Sequence, residues 1–301
     1  MKTKEILKFI ERNLLPDKLS CSLKFKYAYG RWLNWKNPET FNEKIIWRLI
    51  YDRNSFYTLC SDKLKVRDYV KEKMGEEYLV PLLFYGKPKD INFDYLDIPF
   101  VIKTNNSMGK HYFIRTEDDY RKMDRAKIIK YFSKKLKQNY YHYSGEWQYK
   151  NIEPYIMIEE FLTDENGKKN RPLTDYKIHC FDGKVKFINV DSEKEIDKDC
   201  FDFERSCFDK DGKGLDFEFG YRNKYYNSIN KIENLTQKQF KEMIRIAEKL
   251  SADFSYVRID LYKVNNKIYF GEFTFTPTGG FGKFKPEIWD KYFGKFWRIN
   301  K

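Results

Sequence analysis

The chain has 301 residues, 19% of them aromatic, and carries 58 Lys and Arg against 45 Asp and Glu, a formal net charge of +13. The aromatic content excludes a disordered chain, which lacks the apolar surface that offsets ordering entropy; the length suits one large domain or two packed lobes. The basic excess attracts anions (nucleotide, acidic saccharide, nucleic acid or a membrane surface) without choosing among them, and serves solubility equally well.

The N-terminal stretch MKTKEILKFIERNLL reads as an amphipathic helix. It lacks the uninterrupted apolar core and small-residue cleavage site of a signal peptide, and no apolar run long enough to span a membrane follows. Residues 1–61 read as helical, with Asn37-Pro38 opening a helix that Phe41, Ile45 and Trp47-Arg48-Leu49 continue. A second helix is expected from Asp62 to Met74, stopped by Gly75 as an αL cap. Pro99–Lys103 is a strand with Tyr112–Ile114 as its hairpin partner, followed by a charged helix from Glu117 to Gln138. Beyond the aromatic stretch 140–149 the pattern turns to strands: Tyr155–Ile158, then Asp175–Phe181 and Lys184–Val190 joined by Asp182-Gly183. Residues 162–174 and 192–235 read as loop-rich. Thr236 and Gln239 form a capping box for a helix whose apolar face is Phe240, Met243, Ile244, Ala247 and Leu250. Cys21, Cys60, Cys180, Cys200 and Cys207 contain no C-x-x-C pair, so reduced thiols are expected rather than a disulfide framework or a zinc knuckle.

The strands Val257–Val264 and Ile268–Thr274 carry the most chemistry. Side chains alternate along a strand, so Arg258 and Asp260 share one face, and Glu272 and Thr274 share one face. An Asn265-Asn266 turn alone would pair Asp260 with Gly271 and bury Glu272 among hydrophobes. A three-residue loop or a bulge would pair Asp260 with Glu272 and Arg258 with Thr274, leaving Val257, Ile259, Leu261, Phe273 and Phe275 as a wholly apolar face. Register follows the buried face, which selects the second arrangement. Two opposed carboxylates repel, so a hard divalent cation such as Mg2+ would account for them. A solvent-facing hairpin with an Arg258–Glu272 ion pair is the alternative.

Arg258-x-Asp260 followed by Glu272-x-Thr274 resembles the metal-binding hairpin of ATP-grasp enzymes, with Thr274 standing where that superfamily has Asn. More narrowly, Lys36-Asn37-Pro38-x-Thr40-Phe41-Asn42-Glu43-Lys44, Asp175-Tyr176-Lys177, Tyr269–Phe275 and Phe284-Lys285-Pro286 are similar to the TupA-like branch, named for teichuronopeptide biosynthesis. The resemblance covers nearly the whole chain. It implies an α+β ATP-grasp fold, two mixed α/β lobes clasping nucleotide behind a helical N-terminal extension. The segments would be 1–61 (helical), 62–150 (N-terminal lobe) and 151–301 (C-terminal lobe). It assigns ATP and Mg2+, with Asp260, Glu272 and Thr274 on the metal and Arg258 and Lys103 in catalysis. Lys63, Lys103, Ser107 and Gly109 would meet phosphate; Glu159, Glu160, Phe161 and Leu162 adenine; Asp175 the ribose; and Lys177 the triphosphate. His179 shares the polar face of its strand with Asp175 and Lys177, without a catalytic role.

The activity this implies is a ligase joining a carboxylate, expected to be a uronic acid of a capsular or other surface glycan precursor, to an amine or amino acid through an acyl phosphate. A glycan kinase on the same fold and a surface-polysaccharide glycosyltransferase are the alternatives, the latter drawing on Asp197-Lys198-Asp199 or Asp209-Lys210-Asp211 as a metal motif. Nucleic-acid binding is not expected, since no helix-turn-helix, RNP or zinc signature is present. The location implied is cytoplasmic, with peripheral contact at the inner face of the membrane, where lipid-linked glycan intermediates would be met.

Overall fold

The structure, a computed structural model, describes residues 15–107, 111–163, 173–197, 200–220, 225–226, 232 and 235–299. In chain order the elements are α1 (Asp17–Tyr29), α2 (Phe41–Tyr51), α3 (Ser55–Ser61), α4 (Val66–Met74), β1 (Leu82–Gly86), β2 (Phe100–Thr104), β3 (Tyr112–Ile114), α5 (Glu117–Lys122), α6 (Arg125–Leu136), α7 (Tyr141–Ser144), β4 (Ile156–Glu160), β5 (Asp175–Phe181), β6 (Lys184–Asp197), β7 (Cys200–Phe208), β8 (Glu218–Gly220), β9 (Tyr225–Tyr226), α8 (Gln237–Ser251), β10 (Tyr256–Val264), β11 (Lys267–Thr274), β12 (Lys283–Lys285) and α9 (Ile288–Gly294). They fall into two compact units: one from the residues up to Arg53 and from Pro172 onward, the other Asn54–Arg171. The sequence suggested boundaries near 62 and 151. The break at Arg53 arises because α2 packs on C-terminal segments, while α3 packs on Trp147–Tyr149.

In the Asn54–Arg171 unit, an antiparallel sheet runs in the order β1-β4-β2-β3. Phe100, Ile102, Ile156 and Ile158 form its core with Phe93, Ile114, Ile128 and Phe132. The expected helix from Glu117 to Gln138 is two helices. Thr116 and Asp119 form a capping box for α5, and the Asp124 side chain accepts from Lys127 N to start α6; a capping acid within a charged run restarts a helix rather than extending it. The expected helix from Asp62 is likewise interrupted. Asp62 caps the end of α3, and α4 begins only at Val66. Gly75 ends α4 at φ 111°, positive but outside αL.

In the larger unit the sheet order is β11-β10-β5-β6-β7-β9. The stretch read as loop from 192 contains the end of β6 and all of β7, paired from Ile188↔Phe208 to Asp197↔Cys200. The sequence alternates Phe201 and Phe203 with Asp202 and Glu204, a short strand signal set after the largely charged run 193–199 and overlooked in reading the stretch as loop. The helix α8 starts at the Thr236–Gln239 capping box and buries Phe240, Met243, Ile246, Ala247 and Leu250. Ile246 takes the place expected for Ile244.

The Lys36–Lys44 motif is structural. Pro38 precedes the helix rather than opening it, because Thr40 and Glu43 form the capping box of α2. Phe41 is fully buried among Phe181, Phe187, Phe219, Tyr256, Phe284 and Trp297. Lys44 Nζ donates to the carbonyls of Gly294 and Trp297, at 2.8 and 2.6 Å. Asn42 N donates to Asp290 Oδ1 at 2.9 Å.

Burial pushes the Asp290 carboxyl up to about 6, with the Glu43 charge adding to it. A carboxyl raised in the fold keeps its proton above 3.8 when the unfolded chain has lost it, so its contribution is present at low pH and lost as pH rises through 6. Asp290→Asn retains an acceptor for Asn42 N and removes the cost of ionisation. Thermal unfolding of the variant should show a higher midpoint than wild type at pH 8, the gap closing between pH 6 and 4, for a difference of roughly 2–3 kcal/mol. Equal midpoints at pH 8 would contradict this.

Candidate active site

One face of the larger sheet gathers charge. β10 pairs with β11 through Arg258↔Thr274, Ile259↔Phe273 and Asp260↔Glu272. The next pair, Leu261↔Phe270, skips Gly271. The hairpin thus combines the two-residue Asn265-Asn266 turn with a bulge, in the register the apolar face demanded. Glycine is required at the bulge, since a Cβ there would lie 2.6 Å from the Tyr262 ring and 3.0 Å from Asp260 O. On the other side, β5 sets Lys177 opposite Asp260 and His179 opposite Arg258. β6 adds Asp191 opposite Asp175 and Asn189 opposite Lys177, and β7 adds Arg205 opposite Asp191.

The charges interlock. Arg258 Nε and Nη2 donate to the two oxygens of Asp260 at 2.6 and 2.5 Å, and Nη2 lies 3.7 Å from Glu272. The Arg258–Glu272 pair of the alternative reading is therefore secondary to the fork on Asp260. Asp260 is 2% exposed, so the face is not simply solvated. Lys177 bonds Asp175 and lies 3.3 Å from Asp191 and 4.0 Å from Asp260. Burial alone would lower its pKa, but the three carboxylates outweigh burial and hold the ammonium above the usual lysine range. Burial raises Asp175 to about 6 against the pull of Lys177, whereas Asp191, also buried, is held low by the Arg205 fork at 2.5 Å to each oxygen. Arg205 also donates to Phe219 O at 2.7 Å.

The donor set fits magnesium. Asp260 and Glu272 present opposed carboxylates, and each Asp260 oxygen keeps a lone pair after accepting from Arg258. Asp175 Oδ1 is buried without a hydrogen-bond partner among the described residues. Among the described residues no three His, Cys, Asp or Glu gather as a metal-binding group. A two-carboxylate site completed by phosphate oxygens and water is the arrangement magnesium commonly takes. Thr274 Oγ1 donates to Glu272 Oε1 at 3.3 Å, which orients that carboxylate.

His179 departs from the expectation of a polar strand face. It is fully buried, stacked on Phe187 at 3.9 Å, and bonded to Tyr256 Oη and Asn189 Oδ1 at 2.9 and 3.0 Å. Burial holds its pKa well below the usual histidine value, which makes it a neutral strut beneath the charged cluster.

The Asn54–Arg171 unit contains the other expected residues. Lys63 lies in the turn between α3 and α4, not in a helix; its N donates to Asn105 O at 3.1 Å and its Nζ to Ser107 O at 3.3 Å. Asn105 locks this loop, donating through Nδ2 to Asp62 Oδ1 and Glu153 O at 2.9 Å and accepting from Tyr155 N at 2.8 Å. Ser107 Oγ bonds Thr104 Oγ1 at 2.7 Å. Gly109 lies outside the described residues. Lys103 pairs with Glu159, whose other oxygen takes Arg67 Nη1 at 3.1 Å. The Glu159 side chain is thus committed to two cations. Glu160 N and Phe161 N donate to the carbonyls of Pro81 and Pro99 at 3.1 and 2.9 Å, fixing the segment that leads to Leu162. The Glu160 side chain is exposed, and the Phe161 ring packs edge-on against Phe113.

Sequence reasoning missed Arg67, Asp191 and Arg205. Extending the β6 alternation by one residue would have found Asp191, and the Phe201-Asp202-Phe203-Glu204 alternation would have put Arg205 on a strand. Of the glycosyltransferase motifs, Asp209 Oδ1 accepts from Asp211 N and Lys213 N at 2.9 Å, and Asp211 pairs with Lys210. This is a turn stabilised by its own side chains. Lys198 and Asp199 lie outside the described residues. Lys283 and Lys285 are exposed, and Lys285 pairs with Glu218 at 3.1 Å.

Among solved structures the chain resembles D-alanine–D-alanine ligase from Bacillus anthracis at 16% identity, over 73% of this chain and 57% of that one, with a TM-score of 0.42. It also resembles the ATP-grasp ligase PsnB complexed with a minimal precursor, at 12% identity over 73% and 53% with a TM-score of 0.40. A third is N5-carboxyaminoimidazole ribonucleotide synthetase from Thermus thermophilus, at 9% over 72% and 45% with a TM-score of 0.39. The chain spans less than two thirds of the length of each. No curated protein matches by sequence. The family model described as TupA-like ATPgrasp matches residues 43–298, which include both halves of the β10–β11 hairpin, the β5 residues and both expected phosphate lysines. The chain belongs to the TupA-like ATP-grasp family and has its α+β fold.

Proposed function

We propose that the protein is a Mg-ATP-dependent ligase that joins a carboxylate to an amine through an acyl phosphate. We further propose that the carboxylate is a uronic acid of a capsular or other surface glycan precursor, and the second substrate an amine or amino acid. The observation that carries the reading is the opposed pair Asp260 and Glu272, set in register by the Gly271 bulge beside Arg258 and Lys177.

Asp260 and Glu272 would hold the magnesium, which neutralises phosphate charge when bound. Arg258, oriented by its fork on Asp260, faces the transferring phosphoryl group, where a fixed guanidinium stabilises developing charge without reorganising. Lys63, Lys103 and Ser107 hold phosphate oxygens, with Glu159 keeping Lys103 in place. Glu160, Phe161 and Leu162 line adenine, and Asp175 and Lys177 meet ribose and triphosphate. The substrate carboxylate attacks the γ-phosphorus and ADP leaves. The amine nitrogen then attacks the acyl carbon, the C–N bond forms as the C–O bond to phosphate breaks, and a proton passes to water.

Turnover with ATP, Mg2+ and candidate carboxylate–amine pairs should release ADP and inorganic phosphate in equal amounts, and only when both substrates are present. ADP without free phosphate, accompanied by a phosphorylated sugar, would mean a kinase instead. Consumption of a UDP-sugar without ATP would mean a glycosyltransferase.

A further inference from the structure

The helix α1 is apolar on two faces. Cys21 and Phe25 are buried against Leu33, Ile46 and Leu49. On the opposite side Leu19, Leu23 and Tyr27 follow one another at helical i, i+4 spacing, 45%, 46% and 94% exposed, and Trp32 continues the stripe at 59%. Single exposed apolar side chains are ordinary, whereas a contiguous stripe along a helix marks a surface that something covers.

The surroundings of the stripe are cationic. Lys26 stands on it, with Nζ 5.8 Å from the centre of the Trp32 ring. Lys18 Nζ lies 5.3 Å from the rings of both Trp35 and Tyr51. From Leu15 to Lys36 the chain carries Lys18, Lys24, Lys26, Arg31 and Lys36 against one acid, Asp17. Arg53 pairs with Asp17 at 3.0 Å, while Arg31 is turned to Glu43. No helix among the described residues is long and apolar enough to cross a membrane.

We propose that this face docks on an anionic phospholipid bilayer, with Leu19, Leu23, Tyr27 and Trp32 entering the boundary between headgroups and acyl chains and Lys26, beside the stripe, meeting lipid phosphate. Charge complementarity selects this occupant. A second copy of the same face would set its lysines against one another, whereas an anionic bilayer supplies both an apolar layer and the opposing charge. Tyr and Trp suit such a boundary because an apolar ring carries a polar edge. This face contains none of the residues of the proposed reaction, so bilayer binding and turnover are lost independently of one another.

The test is co-sedimentation of the full chain with vesicles of equimolar phosphatidylglycerol and phosphatidylcholine, compared with phosphatidylcholine alone, at low and high salt. Binding is expected to the anionic vesicles and to weaken with salt. Leu19→Ser with Leu23→Ser should lower the partition coefficient about tenfold or more, and Lys26→Gln about fivefold at low salt. The substituted side chains are exposed, so the thermal midpoint should stay at the wild-type value and show that the variants are folded. Absence of binding to the anionic vesicles, or binding that the leucine variant retains in full, would overturn the proposal. So would a wild-type dimer that this variant converts to monomer. Faster hydrogen exchange in α1 on deletion of residues 1–14 would also overturn it, by making that segment the occupant.

Discussion

Asp260→Asn should lower kcat/KM for ATP-dependent turnover by roughly 10³-fold, with Glu272→Gln close behind at about 10²–10³-fold, because a fixed charge lost from a phosphoryl-transfer site is worth about 3–4 kcal/mol. The two differ in what else they disturb. Asp260 is buried, receives both arms of the Arg258 fork and lies near Lys177. Removing its charge leaves those cations short of a counter-charge and should also destabilise the fold by about 3 kcal/mol or more. Glu272 has a side chain 23% exposed and sits farther from Arg258. Its glutamine variant should keep the wild-type melting temperature while requiring more magnesium for half-maximal rate. Titrating ADP release against Mg2+ separates the cases, and an unchanged magnesium requirement for Glu272→Gln would sink the assignment of that carboxylate to the metal.

Phe41→Ala is expected to cost about 3–5 kcal/mol of unfolding free energy, the range for emptying a buried aromatic site. The ring has no exposed surface and stands 4.9 Å from Tyr256 and 5.8 Å from Phe181, with Phe219, Phe284 and Trp297 around it. So rigid a surround cannot collapse onto the gap, and the cavity term should approach its full value. Urea denaturation followed by tryptophan fluorescence measures it through the midpoint. A loss below about 1 kcal/mol would show that the aromatic cluster relaxes, contrary to close packing.

Both predictions concern residues that short motifs had singled out, yet for different reasons. The motif containing Phe41 marks a junction of α2 with α9, built by the Thr40–Glu43 box, Lys44 and Asn42. The T-x-x-E spacing was legible as a helix start, but the preceding proline drew the start three residues too early. In the β10–β11 hairpin the apolar face alone was enough to choose the register. The turn residues pointed the other way, and only the Gly271 bulge reconciles the two. Lys63 shows the opposite limit. The sequence from Asp62 to Met74 is compatible with continuous helix, and the hydrogen bonds from Asn105 to Asp62 and from Lys63 to the 105–107 loop, across 42 to 44 residues, hold it as a turn.

The sequence by itself determined the α+β character, the strands β5, β10 and β11, the opposition of Asp260 to Glu272 and the family. The strands and their register follow from alternation and local caps, which act over a few residues and leave a periodic trace; the fold and the family followed from the resemblance of the motifs. Only the tertiary structure decided that Lys177 sits among three carboxylates, that Arg205 fixes Asp191, that Glu159 is shared by Lys103 and Arg67, and that His179 is sealed among aromatic rings. Those contacts join strands and helices distant in the chain. The charge each residue meets there is set by strand order, which has no local signature.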